Sequence, residues 1–191
     1  MPLLRLFGFL VLHVFCFIIA TAQPASFQHF SVEQGLPNYS AISLTQDKMG
    51  FMWIGTVDGL CRYDGIRFKT YRSNASDTGT LFSNHIIFLF TDSKGIVWVG
   101  TSAGLNKYNI VQDRFERISF NNQIASVFCV YEDSKGQIWV GSTNGLYMIP
   151  RNGSAFISFQ NKTAGNSVRA ILEDKNSGIW VGSDKGLTYI E

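Results

Sequence analysis

The sequence predicts an all-β protein built from four copies of one small antiparallel sheet. Three observations carry that prediction. Every tryptophan sits in the same recurring phrase: Trp53-Ile-Gly-Thr-Val-Asp-Gly-Leu60, Trp98-Val-Gly-Thr-Ser-Ala-Gly-Leu105, Trp139-Val-Gly-Ser-Thr-Asn-Gly-Leu146 and Trp180-Val-Gly-Ser-Asp-Lys-Gly-Leu187, at steps of 45, 41 and 41 residues. An aspartate stands six residues ahead of each, at Asp47, Asp92, Asp133 and Asp174. Finally, 18 Gly and 16 Phe beside only 4 Pro supply short apolar strands between glycine turns. With 46% hydrophobic residues in 191, the chain has material for a packed core, which excludes disorder throughout. A net charge of +2 gives no electrostatic basis for a nucleic-acid partner.

Residues 1–22 carry one cation, Arg5, then an apolar stretch from Leu6 to Ile19 and the small residues Ala20-Thr21-Ala22. This is the pattern of a secretory signal peptide cut before Gln23, and it predicts a periplasmic or extracellular location for residues 23–191. The alternative, an uncleaved anchor, asks for a longer apolar run. Cys16 leaves with the leader. Cys61 and Cys129 fall in strand-like runs of different repeats, so two unpaired buried thiols are expected even in an oxidising compartment.

The repeats lie near residues 38–71, 83–118, 124–159 and 166–190, and each reads as four strands. The first strand is apolar and ends in the aspartate, as in Ile86-Ile-Phe-Leu-Phe90. Asp-x-x-Gly then fits a type I turn, with Gly50, Gly95 and Gly136 at its fourth position. The fourth repeat has Ser177 there and delays its glycine to Gly178, so a different turn is expected. The second strand carries Trp98 and Gly100 on one face and Val97 and Val99 on the other. Both faces are apolar, so the strand must be covered on both sides. The glycine two beyond each Trp makes room for a neighbouring bulky group, and the glycine before each Leu supplies a positive φ. The third strand starts at that Leu, and the fourth carries Phe68-Lys-Thr-Tyr71, Phe115-Glu-Arg-Ile118 or Phe156-Ile-Ser-Phe159.

A four-stranded sheet covered on both faces is a β-propeller blade. Phe27-Gln-His-Phe30 repeats the fourth-strand phrase 41 residues ahead of Phe68, while the last repeat stops after its third strand. Residues 27–31 therefore read as a clasp strand for a final blade. Four blades are expected to form part of a larger, seven-bladed propeller; a closed four-bladed ring, at the bottom of the usual range, is the alternative.

The phrase Asp-x-x-Gly-x-x-Trp-[Ile/Val]-Gly-[Thr/Ser]-x-x-Gly-Leu, four times over, resembles the two-component regulator propeller repeat, and the opening Phe27-Gln-His-Phe-Ser-Val-Glu-Gln-Gly-Leu-Pro37 resembles the start of the extracytoplasmic sensor of hybrid two-component histidine kinases. The resemblance covers residues 27–190. It implies one or two seven-bladed propellers followed by an immunoglobulin-like connector, a membrane span, a kinase and a receiver, none of which follows here. It further implies a sensor of a glycan or other small ligand, tethered to the membrane and possessing kinase activity only in a full-length relative, with a homodimer among its partners.

No constellation for catalysis stands out. His29 and His85 lie in no phosphoacceptor-like setting, no paired carboxylates or metal-ligating cluster appears, and no cofactor is expected. The four tryptophans read as core rather than sugar platforms. Ligand contacts are expected where second-to-third-strand turns and interblade connectors gather: Tyr39, Asp58, Asn74, Asp77, His85, Asn122, Asn144, Asp184 and Lys185. The rival functions are a secreted propeller enzyme acting on polysaccharide or using a quinone, and a protein-interaction scaffold.

Overall fold

The computed structural model describes residues 25–120, 125–153 and 155–191; the leader expected over residues 1–22 lies outside them. The first sheet comprises β1 (Ala41–Gln46), β2 (Met52–Thr56), β3 (Gly59–Tyr63) and β4 (Phe68–Tyr71). The second comprises β5 (Ile86–Thr91), β6 (Val97–Thr101), β7 (Gly104–Asn109) and β8 (Arg114–Ile118). The third comprises β9 (Val127–Glu132), β10 (Ile138–Ser142), β11 (Gly145–Ile149) and β12 (Ile157–Ser158), and the fourth has three strands, β13 (Val168–Glu173), β14 (Ile179–Ser183) and β15 (Gly186–Ile190). Each sheet is antiparallel in chain order, as expected of a propeller blade.

The aspartate of each repeat closes its first turn with both oxygens. One accepts the amides two and four residues on, Lys94 and Ile96 from Asp92 at 3.0 and 2.8 Å. The other accepts the indole N–H of the tryptophan, at 2.7 Å for Asp47 and Trp53, 2.9 Å for Asp92 and Trp98, 2.8 Å for Asp133 and Trp139, and 3.1 Å for Asp174 and Trp180. The turn expected to differ in the fourth repeat does not. Ser177 takes the left-handed backbone (φ 65°) that Gly50, Gly95 and Gly136 take in the others, and its amide bonds Asp174 O at 3.0 Å as theirs bond their aspartates. The aspartate's amide bonds hold the turn firmly enough to place a non-glycine residue there.

Blades stack through their first strands, β1 against β5, β5 against β9, β9 against β13. The tryptophan face of one blade packs on the Ile/Val face of the next. Trp53 and Leu60 meet Ile86, Leu89, Val97 and Val99; Trp98 and Leu105 meet Val127, Ile138 and Val140; Trp139 and Leu146 meet Val168, Ile179 and Val181. Close approach depends on the glycine two beyond each Trp. A Cβ on Gly55 would lie 2.6 Å from Ile86 Cγ2, and one on Gly100 would lie 2.9 Å from Val127 O.

The blades form an open arc, the geometry of a sector of a larger propeller rather than a closed four-bladed ring. Both end faces are exposed and apolar: Ile42 and Leu44 on the first blade, Trp180 (41%), Leu187 (69%) and Tyr189 on the fourth. Residues 27–31 form no strand; Phe30 rests on Tyr63 and Phe68, with ring centroids 5.2 and 5.6 Å apart. Cys61 and Cys129 are buried and unpaired, and burial pushes their thiols up to about 11 and about 12.

The first interface carries a polar lock. In the β7–β8 turn, Asp113 accepts from Tyr71 and Tyr108 hydroxyls, each at 2.7 Å, and pairs with Lys69, while Arg62 donates to the Tyr108 hydroxyl at 2.9 Å. Partial burial pushes the Asp113 carboxyl up, but the hydrogen bonds from Lys69, Tyr71 and Tyr108 outweigh it and bring it down to about 2.

Trp98→Ala should lower stability by about 3–5 kcal/mol in chemical denaturation, and Trp180→Ala by less than half of that, because only Trp98 is enclosed by a following blade. Gly100→Ala should cost about 1–3 kcal/mol through overpacking. At Gly182 an added Cβ meets nothing nearer than Ala170 Cβ at 3.4 Å, so Gly182→Ala should be near neutral. Since Asp113 is more acidic folded than its ordinary value of 3.8, its stabilisation is complete above that value and lost as pH falls toward 2. Asp113→Asn should therefore lower the melting temperature at pH 7 and flatten the loss of stability between pH 4 and 2.

Candidate functional site

One end of the arc collects the second-to-third-strand turns, residues 57–58, 102–103, 143–144 and 184–185, together with the connectors that lead into each blade. The Thr or Ser after each Trp-x-Gly builds these turns. Thr56 Oγ1 donates to Gly59 O at 2.8 Å and accepts the Asp58 amide at 3.1 Å, and Thr101, Ser142 and Ser183 donate to Gly104, Gly145 and Gly186 in the same way. The next residue after the Thr or Ser is stitched to the connector: Ser102 N to His85 O, Thr143 N to Ser126 O, Asp184 N to Ser167 O, each at 3.0 Å. Between blades, Gly59 N reaches Asn84 O at 2.8 Å, and Ser126 Oγ donates to Ser102 O at 3.0 Å. Loops of successive blades thus form one hydrogen-bonded rim.

This rim brings together Asp58, His85, Asn144, Asp184 and Lys185, with Tyr39 beside the start of β1 and 74% exposed. Asp58 pairs with Arg72 at 3.0 Å, with both side chains about half exposed. Asp184 Oδ1 accepts the Ser167 amide at 3.1 Å, so one of its oxygens is occupied by the connector. His85 is exposed, its amide bonded to Ser83 Oγ at 3.1 Å. Asn122 lies outside the described residues. The rim offers hydroxyl, amide, carboxylate and ammonium groups to solvent, which suits hydrogen bonding to a polar ligand. Among the described residues no group of three His, Cys, Asp or Glu is placed to hold a metal ion.

Asn74 and Asp77 sit elsewhere. The first connector, residues 72–85, is longer than residues 119–126 and folds over β8. Asp77 pairs with Arg114 and accepts the Gly79 amide, while Asn74 Oδ1 accepts the Ser76 amide. The organiser is Arg117, whose guanidinium donates to Thr80 O, Asn74 O and Leu81 O at 2.9, 3.1 and 2.8 Å. Nothing in the Phe115-Glu-Arg-Ile118 phrase marks that role; the longer step between the first two tryptophans is its sole trace in the sequence.

The family model described as two component regulator propeller matches residues 35–58, 80–103, 122–144 and 164–185. A stretch of 73 residues is 40% identical to histidine kinase P4 of Formosa agariphila, spanning 37% of this chain and 5% of that protein. The fold is similar to the extracellular domain of a hybrid two-component system from B. thetaiotaomicron, with TM-score 0.69 and 23% identity over 84% of this chain and 22% of the other. It is also similar to virginiamycin B lyase from Staphylococcus aureus, with TM-score 0.60 and 14% identity over 82% of this chain and 57% of the enzyme. At these identities the structural likenesses are of fold. The chain spans about a twentieth of its curated relative and about a fifth of the two-component domain. Among the described residues no helix is long and apolar enough to cross a membrane.

Arg117→Ala should release the first connector without unfolding the blades. Amide exchange should rise across residues 72–85 and stay unchanged in β5 and β6.

Proposed function

We propose that this chain, which belongs to the two-component regulator propeller repeat family, is the exported, ligand-sensing input part of a hybrid histidine kinase system and acts by binding without catalysis. The observation that carries the reading is the fourfold match to the family's repeat, joined by the 40% identity to a histidine kinase. Export to the periplasm or cell surface is supported by the leader pattern of residues 1–22. The ligand, a glycan or other small polar molecule, is assigned to the loop rim, with Tyr39, Asp58, His85, Asn144, Asp184 and Lys185 as contacts. Asn74 and Asp77 belong to the first connector, which Arg117 holds over β8. A ligand there transmits information by favouring one arrangement of blades, or of two protomers, over another, and the output belongs to a connector and kinase in a longer polypeptide. In that setting residues 27–31 supply the missing fourth strand of a last blade.

The lyase shares the fold, so a secreted enzyme is the second reading, and the same experiment separates the two. The chain is screened by thermal shift against neutral and acidic oligosaccharides, with products followed by chromatography. A selective rise in melting temperature without turnover is the expected result, since a ligand stabilises only the state that binds it. Turnover of any oligosaccharide overturns the non-catalytic reading. No shift with any of them removes the glycan from it.

A further inference from the structure

The interface between the second and third blades lacks the groups that fill the interface between the first and second. By strand register Ile118 stands where Tyr71 does, opposite the leucine that follows the turn glycine: Leu105 pairs with Ile118 and Leu60 with Tyr71. Ile149 stands where Tyr108 does, since Trp139 pairs with Met148 as Trp98 pairs with Lys107. Two residues before the phenylalanine of the fourth strand, where the first interface uses Asp113, the sequence has Ser154. Two phenol rings are thus replaced by two aliphatic side chains.

What remains is a cleft of about 270 Å³, with Trp98, Ile118, Ile149 and Phe156 among its walls. That volume sits just under the range of about 300–1,000 Å³ typical of drug-sized pockets, which suits a single-ring ligand. Lys107 and Glu116 line it at the positions that Arg62 and Lys69 hold in the first interface. The Lys107 ammonium is 3.7 Å from Glu116 and 6.0 Å from the Trp98 ring centroid. The other acids of the cleft are committed to turns, Asp92 to Trp98 and two amides, Glu132 to the Ser93 amide and hydroxyl at 2.6 Å each. Of the other bases, Lys94 donates to Arg151 O at 3.2 Å and the Arg151 side chain lies along Gly136, so beside Trp98 and the aliphatic walls a ligand meets the Lys107 ammonium and the Glu116 carboxylate.

We propose that this cleft binds a small phenolic acid. Its ring takes the space that Tyr71 and Tyr108 fill one blade earlier, its carboxylate meets Lys107 as Asp113 meets Arg62 and Lys69, and its hydroxyl donates to Glu116. The cleft borders the first-to-second-strand turns, at the end of the arc opposite the loop rim, so this site and the rim stand or fall separately.

The test titrates the chain with 4-hydroxybenzoate, following tryptophan fluorescence and heat, with phenol, benzoate, galacturonate and glucose as comparators. Saturable binding of 4-hydroxybenzoate, at least tenfold tighter than phenol or benzoate, is expected. Ile118→Tyr, which restores the ring of the first interface, should abolish it, and Lys107→Met should weaken it at least tenfold with circular dichroism unchanged. If Ile118→Tyr does not fold, Ile149→Tyr serves the same purpose. No saturation at millimolar 4-hydroxybenzoate, equal binding by the filled variants, or tighter binding of galacturonate or glucose would overturn the proposal.

Discussion

The hydrogen bond from each tryptophan indole to the aspartate six residues earlier is the constraint on which the structure depends. For the first three blades the indole is buried, and a buried N–H left without a partner costs about 1–3 kcal/mol, so each Trp needs its acceptor. The same carboxylate holds two amides of the turn, which fixes the register of the first two strands. It also fixes where the tryptophan projects, and that face is what the following blade packs against. One carboxylate therefore links turn, hairpin and interblade contact, and the six-residue spacing is the shortest description of the blade.

That linkage explains why the fourth blade keeps its shape with its tryptophan face uncovered. Trp180 is 41% exposed, yet its bond to Asp174 remains, and hydrogen bonds from the Asn176 amide chiefly hold the Asp174 carboxyl below its ordinary value. The hairpin is set locally; the stacking is not. Stacking depends on the glycine two beyond each Trp, whose missing side chain admits the first strand of the next blade. Blade formation and blade association thus rest on different residues of one phrase.

Most of the fold is legible in the sequence because the phrase repeats: strand order, the two apolar faces of β6 and the core role of Trp98 follow from alternation and spacing. The turn at Ser177 is not, because glycine suggests a left-handed backbone while serine conceals it until Asp174 is seen holding the loop. The site is only partly legible. Asp58, His85, Asn144 and Asp184 sit on one rim because turns of equivalent strands must share an end. Asn74 and Asp77 leave it because Arg117, some 40 residues away in the chain, captures their connector, a tertiary contact with no local signal. The reason for the Asp-to-Trp spacing was equally hidden, since composition and turn chemistry account for the aspartate without its second oxygen.

The interfaces differ in how they are filled, and this decides where the arc can respond to a ligand. In the first, Trp53 stacks on Tyr71 at 5.6 Å, Tyr108 packs edge-on at 4.6 Å, and Asp113 ties both hydroxyls to Lys69. Sliding these blades breaks hydrogen bonds and ring contacts together. In the second, aliphatic Ile118 and Ile149 border a cleft, in which Lys107 pairs with Glu116 at 3.7 Å and lies 6.0 Å from the Trp98 ring centroid. Movement there breaks the bonds of Ser93 to Glu132 at 2.6 Å each and of Lys94 to Arg151 O at 3.2 Å, which lie at the turn end of the joint rather than among the rings of its core. The second interface, at β6–β9, keeps a cleft of about 270 Å³ where the first is filled by rings and a carboxylate, so it is a boundary at which a bound ligand can add contacts. Conformational information in a stacked array must pass through its boundaries, and the boundary with the least to break is the one whose equilibrium a ligand shifts with the least differential binding energy.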